Sequence, residues 1–443
     1  MGSAVNPLRF VTAAAFQRGR PARDPSPHEL DALREEMAAC IAERGGEVAT
    51  RARATALGLR YSALSETGRR RFLELLAAFD VDGTQVDEGV AALQASDAIE
   101  RSGAERSLRQ ALVPSRMRML RAFNSLPSGV KFLVEMRADL LEFAADEPRL
   151  AALEADLKEL LASWFDIGFL EMRRITWNAP ASLLEKLGHY EAVHEVRGWA
   201  DLKNRLDVDR RCFAFLHPAM PDEPLIFVEV ALTNEMSGAM SSLLDARAPV
   251  SDPARATHAI FYSISNCQRG LDGISFGNAL IKRVVQELAV EFRALRTFVT
   301  LSPIPGFRDW VEERGGPDEP LRAIFGNRAW SRDPSTAAAL RQPLLELCAH
   351  YLVEAKRGQR ALDPVAHFHL SNGARLERIN WLADTSAKGV RTGGGMMVNY
   401  LYRPDKIDEN QRTYAAEGRI AVSSEVAALL AARPRAPFAA PPA

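Results

Sequence analysis

The sequence predicts a two-part molecule: an all-helical N-terminal part, then a part that mixes strands and helices in the manner of an α+β or α/β fold. Three observations carry this. Between Ser26 and about Arg174, apolar residues recur at helical spacing and strand signals are weak. Near Trp177-Asn178-Ala179-Pro180 the texture changes, and strand-like runs begin to alternate with helical ones. A chain of 443 residues also exceeds one ordinary core, so two domains are expected, 1–175 and 176–443.

The helical part opens at Ser26-Pro27-His28-Glu29, where a capping serine, a proline at the first helical position and an early acid precede a helix running through Cys40. Residues 71–79 are amphipathic and end at the turn Asp80-Val81-Asp82-Gly83. Ser128-Gly129 introduces a helix over 130–143, with Phe132, Leu133, Met136 and Leu140 on its apolar side. Glu147-Pro148 starts another, in which Leu150, Leu153, Leu157, Leu160 and Leu161 repeat at three and four. Such stripes read as core. The whole part therefore reads as a scaffold, or as a surface through which the chain forms a homo-oligomer.

In the second part, helices are expected over 182–187 and 199–206. Strands over 211–217 and 225–232 read as a hairpin, joined by 218–224 with Pro218, Pro221 and Pro224 stiffening the turn. The stretch from Thr257 to Phe307 organises the rest. It holds a buried strand (258–265), a turn with three glycines (268–277), and a helix carrying Leu280, Ile281, Val284, Val285 and Leu288 on one side. A second strand (297–301) then delivers Ser302 into Pro303-Ile304-Pro305-Gly306, where two prolines fix φ and remove two amide donors. A helix over 343–356 follows, and then strand-like pieces over 367–370 and 376–384, either side of Ser371-Asn372-Gly373. Beyond Gly393-Gly394-Gly395, residues 396–402 read as a helix or a last strand.

Composition narrows the partners. Lys and Arg number 56 against 57 Asp and Glu, a net charge of −1, so no global basic field recruits nucleic acid or an anionic membrane. No run approaches the roughly 18 apolar residues that span a bilayer. The four cysteines stand far apart with no metal-ligand spacing, which suggests reduced thiols and a cytoplasmic protein. Residues 1–23 lack the apolar segment of a secretory signal; they are faintly like a transit peptide but read better as a frayed terminus.

Three stretches can carry chemistry. Gly273-Ile274-Ser275-Phe276-Gly277 matches the Gly-x-Ser-x-Gly pattern of a nucleophile elbow, yet about seven residues separate it from the preceding strand, whereas an elbow's strand runs straight into its first glycine. The same loop can cradle a phosphate, with Arg269, Lys282 and Arg283 as local positive charge, or be a structural turn. Ser302 is either a turn hydroxyl bonded to its own backbone or a reactive hydroxyl on a rigid turn. His367 and His369, at i and i+2 on an apparent strand, would share a face. They read as metal ligands without a third partner, as one proton donor, or as core histidines. His217, before Pro218, reads as structural.

At these residues the chain resembles the malonyl-CoA decarboxylase family. The matching segments are residues 217–233, 261–288, 301–307 (LSPIPGF) and 363–384, with the NYLY end at 399–402. The resemblance implies a helical domain followed by a catalytic domain of the acyl-CoA N-acyltransferase (GNAT-like) fold, converting malonyl-CoA to acetyl-CoA and CO2. It implies no cofactor, metal or biotin, since malonyl-CoA is the substrate. By motif, the catalytic serine falls on Ser302, the catalytic histidine on His369 and the closing-segment tyrosine on Tyr402. The acyl-CoA seat falls on Gln268, Arg269, Asp272, Gly273, Ile274, Ser275, Phe276, Gly277 and Asn278. Ser275 stands where some members carry an acid. Losing CO2 from a malonyl thioester leaves an enolate, so Ser302 is expected to act by hydrogen bonding or proton handling and His369 to protonate the enolate carbon. The competing readings are a thioesterase using Ser275 with His367 or His369 and Asp363, an N-acyltransferase, and a non-catalytic malonyl-CoA sensor.

Overall fold

Ser26 and Glu29 satisfy one another's backbone N–H groups, with Pro27 at the first helical position, and the helix Pro27–Ile41 starts there. The computed structural model describes residues 24–274, 280–314 and 328–432. Seven further helices follow before the first strand: Gly46–Ser62, Glu66–Ala77, Gly83–Ala95, Arg101–Ala111, Arg116–Phe123, Gly129–Phe143 and Pro148–Trp164. Gly83–Ala95 and Arg101–Ala111 bury no apolar side chain, whereas the stripes of the other helices are buried, Leu57, Phe72, Leu133, Met136 and Leu157 among them, and are core as the spacing predicts.

The rest of the chain builds a curled, mixed sheet of eight strands, and the expectation of an α+β fold after a helical part holds. The strands are β1 (Glu171–Ile175), β2 (Arg210–His217), β3 (Met220–Thr233), β4 (His258–Asn266), β5 (Thr297–Thr300), β6 (Ser302–Pro303), β9 (Arg375–Asn380) and β10 (Met397–Tyr402); a small separate hairpin supplies β7 (Lys356–Arg357) and β8 (Arg360–Ala361). Their order is β1-β2-β3-β4-β5-β10-β6, with β9 on the other edge of β10. The pairing is antiparallel except between β4 and β5. The sheet takes in Glu171–Ile175, ahead of the 175/176 boundary expected from texture. A single apolar cluster runs from Leu33 and Phe72 of the helical part through Phe215 and Val228 to Tyr402. Helices and sheet thus share one core.

Two sequence expectations are corrected. The proline-rich stretch 218–224 is not a seven-residue turn, because β3 already begins at Met220 and only Pro218 and Ala219 link it to β2. Pro224 lies opposite Leu216, where the register shifts, a place where a missing ladder N–H is tolerated. Residues 367–370 are not a strand. They belong to the helix Pro364–Ser371, whose cap is Asp363 and whose first residue is Pro364. His367 and His369 therefore diverge instead of sharing a face.

One feature of the sheet positions the site. β4 and β5 pair in parallel from His258 with Thr297 to Phe261 with Thr300, and the Leu301 N–H closes the run on the Phe261 carbonyl at 2.9 Å. Beyond that point β4 continues beside β3 to Asn266, while the other chain turns away to pair with β10 at Ser302 and Pro303. A cavity of about 260 Å³ opens between them.

Candidate active site

Ser302, His369 and Tyr402 are brought together from three elements. Ser302 sits in β6 just past the point where β4 and β5 part, His369 in the last turn of the helix Pro364–Ser371, and Tyr402 at the end of β10. All three are buried. The Ser302 hydroxyl lies 2.9 Å from His369 Nε2, and the Tyr402 hydroxyl 2.8 Å from His369 Nδ1. Ser302 donates its own proton to Thr300 Oγ1 at 2.8 Å, and Thr300 Oγ1 also accepts the Tyr400 N–H at 3.1 Å. With that proton committed, a neutral imidazole carries its hydrogen on Nε2 and accepts from the phenol at Nδ1. Donation runs in one direction: Tyr402, His369, Ser302, Thr300.

No charged group joins this chain. Burial alone pushes His369 down to about 3, and burial holds Tyr402 well above the usual phenol range. The imidazole is stacked on the Tyr400 ring, with centroids 4.6 Å apart and planes at 24°. The ring therefore has both nitrogens bonded and one face covered.

Asp363 sets the two reactive elements in register. Its Oδ1 accepts the Val365 and Ala366 N–H groups at 3.0 and 2.9 Å, capping the histidine helix. Its Oδ2 accepts the Gly306 N–H at 3.3 Å, just after the serine turn, and the Tyr351 hydroxyl at 3.2 Å. In the thioesterase reading Asp363 would orient the histidine. Here its bonds go to backbone and tyrosine, and both His369 nitrogens are already taken.

The narrow cavity, lined by Phe261, Ser263, Leu301, Ser302, Phe368 and His369, adjoins a wider one of about 1050 Å³; Asn266 and Phe368 line both. Gln268, Asp272, Gly273 and Ile274 form part of the wider wall. Ser275, Phe276, Gly277 and Asn278 lie outside the described residues. The loop leans on the helical part. Buried Arg137 gives Nη1 to the Gly270 carbonyl at 2.7 Å and Nη2 to that of Asp272 at 2.8 Å, while pairing with Glu154 at 2.7 Å. Gly270 must be glycine, because a Cβ there would collide with the Val134 carbonyl oxygen.

The cations expected to serve this loop are occupied elsewhere. Arg269 pairs with Glu142, Lys282 with Asp408 at 3.1 Å, and Arg283 bonds the Leu170 carbonyl at 3.0 Å while lying over the Phe215 ring. His367 lines the wider cavity, its Nδ1 2.9 Å from the Tyr414 hydroxyl. His217 bonds the Trp164 carbonyl at 3.1 Å and accepts the Ala219 N–H, as a structural histidine would. Among the described residues no group of three or more His, Cys, Asp or Glu could hold a metal ion, and no helix is long and apolar enough to cross a membrane.

Residues 168–438 match the family model of the malonyl-CoA decarboxylase C-terminal domain, and residues 79–165 that of the N-terminal domain. The chain belongs to the malonyl-CoA decarboxylase family. It is 38% identical over 411 residues to malonyl-CoA decarboxylase, mitochondrial, of Rattus norvegicus, an alignment covering 84% of each chain. It is 39% identical over 410 residues to the protein of that name from Anser anser anser, covering 83% of this chain and 81% of the relative. The crystal structure of malonyl-CoA decarboxylase from Rhodopseudomonas palustris superposes with a TM-score of 0.85 at 42% identity, covering 90% of this chain and 98% of the other.

Within this family architecture, a second buried polar network touches the narrow cavity and had no sequence signal. Ser263, on the cavity wall, donates to Glu191 Oε2 at 2.7 Å, and Glu191 Oε1 also accepts the Val193 and His194 N–H groups. Nearby, Arg205 pairs with Glu229 at 3.3 Å and Asp201 at 3.2 Å. Burial, then the Glu191 carboxylate, pushes Glu229 up to about 8 against the pull of Arg205. Thr300 was legible in principle: it stands at i−2 from Ser302, a spacing that puts two residues of an extended chain on one face.

Proposed function

We propose that this chain decarboxylates malonyl-CoA, with Ser302, His369 and Tyr402 acting at the reacting carbon. The observation that supports this best is the 2.9 Å contact between Ser302 and His369 at the narrow end of a two-chambered cavity. The wider chamber, walled by Gln268, Asp272, Gly273 and Ile274, suits the nucleotide end of CoA, and the narrow one the malonyl thioester. Lys158 of the helical part adds a cation beside Gly273.

The bond between the carboxylate carbon and Cα breaks, and its electron pair passes into the thioester as an enolate while CO2 leaves. Ser302 turns its hydroxyl proton away from Thr300 to donate a hydrogen bond where the oxyanion develops, an effect of about 10² to 10³ in rate. In the empty site His369 is neutral, so the malonyl carboxylate enters as an unopposed charge. An anion within about 4–6 Å favours the imidazolium, so one proton is taken up with the substrate. His369 then delivers it to Cα and returns to neutrality, and Tyr402 holds the ring in place throughout. Charge balances: carboxylate and imidazolium become CO2, acetyl-CoA and imidazole.

This chemistry asks for neither metal nor biotin, so EDTA and avidin should leave the rate unchanged. Four buried free cysteines support a reducing compartment, and we place the protein in the cytoplasm as a homo-oligomer through its helical part. Cell fractionation and sedimentation test those two points. The function is tested by incubating with labelled malonyl-CoA, with and without an amine acceptor. Labelled CO2 and acetyl-CoA without free thiol are expected. Free CoA thiol, or an acetyl or malonyl ester trapped on Ser302, would overturn the mechanism.

A further inference from the structure

The wider cavity has one wall that none of the family motifs mark. β7 and β8 form a tight hairpin whose tip, Arg357-Gly358-Gln359-Arg360, faces it. Gly358 takes φ 62°, the left-handed backbone a two-residue turn requires. The tip is held rigidly. Lys356 Nζ donates to the Gly418 carbonyl at 2.7 Å, and Gly418 packs so closely on the Gln359 carbonyl that a Cβ there would come within 2.6 Å of its oxygen. The Ala361 N–H donates to the Tyr414 hydroxyl at 2.8 Å. The Tyr414 hydroxyl also lies 2.9 Å from His367 Nδ1, and in the tautomer where Tyr414 donates this bond the imidazole hydrogen is on Nε2.

Arg357 and Arg360 both line the cavity, and among the described residues neither side chain has an ion pair or a hydrogen bond. This sets them apart from Arg269, Lys282 and Arg283, all engaged elsewhere. Burial, and then the Arg360 charge, holds His367 below the usual imidazole range, and burial raises Tyr414 above the usual phenol range against the pulls of the Ala361 N–H and Arg360. Asp272, on the loop wall, has its carboxyl raised above the usual range by burial, against the pull of Arg137 and Arg269. The hairpin thus presents two uncompensated planar forks on a stiff support, the arrangement that recognises phosphate bidentately.

We propose that Arg357 and Arg360, with the His367 Nε2 hydrogen as a third donor, bind phosphate groups of the CoA nucleotide. This rests on the acyl-CoA reading of the cavity and assigns the phosphate contacts to the hairpin wall. The glycine-rich loop then shapes the opposite wall without supplying the charge.

The test compares the wild-type chain with Arg357→Gln, Arg360→Gln and the double variant. Binding of free CoA, dephospho-CoA and pantetheine is measured by calorimetry, and kcat/KM for malonyl-CoA and malonyl-pantetheine by CO2 release. Each substitution is expected to weaken CoA about 10- to 100-fold and to shrink the preference for malonyl-CoA over malonyl-pantetheine by a similar factor. Weakening of CoA but not dephospho-CoA assigns the 3′-phosphate; weakening of both assigns the pyrophosphate. Either supports the site. CoA affinity unchanged in the double variant, or equal losses with the substrates that carry and lack phosphates, would overturn it. The calorimetry needs no turnover, so a wild-type protein that binds CoA but releases no CO2 would refute the decarboxylase reading and leave this site to be judged by binding.

Discussion

Two buried polar networks meet the narrow cavity, and they solve burial in opposite ways. Thr300, Ser302, His369 and Tyr402 carry no formal charge; each group is satisfied by a neutral neighbour, and burial keeps the imidazole unprotonated. Arg205, Asp201, Glu229, Glu191 and Ser263 form a cluster built on charged side chains, in which Arg205 answers Asp201 and Glu229, and Ser263 answers Glu191, while Glu191 opposes ionisation of Glu229. A closed ion network is complete without a ligand. A neutral chain has no counter-ion, so an incoming carboxylate becomes the group that decides whether its histidine is charged. The neutral arrangement suits a site that must accept an anion and then be rid of the charge.

The largest effect that can break this comparison is on rate. His369→Asn is expected to lower kcat about 10²- to 10⁴-fold and Ser302→Ala about 10²- to 10³-fold, measured as labelled CO2, with circular dichroism unchanged. Full activity in both would remove the neutral chain from the chemistry. Next is Asp363→Ala, which strips the cap from the histidine helix and the bond from Gly306. A loss of about 1–3 kcal/mol in denaturant unfolding is expected, and Asp363→Asn, which still caps, should recover most of it.

The third prediction uses pH. Between about pH 3 and the ordinary imidazole value of 6.5, buried His369 binds fewer protons than it does in the unfolded chain, so stability rises with pH there and is lost as pH falls through that window. Glu229 behaves conversely. Between 4.5 and about 8 it binds more protons folded than unfolded, so its contribution is complete below 4.5 and fades as pH rises toward 8. In a pH series of urea melts, His369→Asn should flatten the acid limb and Glu229→Gln the limb around neutrality. Identical profiles would show that the two networks do not differ as argued. The smallest effect separates two tyrosines. Tyr402→Phe deletes the bond to His369 and should slow turnover several-fold, about one hydrogen bond's worth. Tyr400→Phe keeps the ring stack and removes a buried hydroxyl that has no partner, so Tm should hold or rise.

What could be read from the sequence was whatever its local chemistry repeats. The helical stripes, the Ser26 capping box and the strand that delivers Ser302 all state their structure within a few residues. The helix Pro364–Ser371 was misread because HFHL alternates like a strand, while its true signal, Asp363 as cap and Pro364 at the first position, lay at its edge. The pairing of Ser302 with His369 came from the family resemblance, since 67 residues separate them. Arg269, Lys282 and Arg283 were basic residues at a phosphate-like loop. That Glu142, Asp408 and Leu170 occupy them is a fact of tertiary structure that local pattern cannot carry.

Arg137 and Gly270 give the helical half a part in the architecture of the active centre. The loop that carries Gly270 and Asp272 is moulded against a helix from the other half of the chain, with two of its carbonyls held by an arginine of that helix. A catalytic half severed before Glu171 would keep its serine, histidine and tyrosine but lose the template on which one wall of its cavity is cast. Sequence changes on the buried face of Gly129–Phe143 would then act as remote tuners of substrate affinity, from a region that contributes no atom to the reaction.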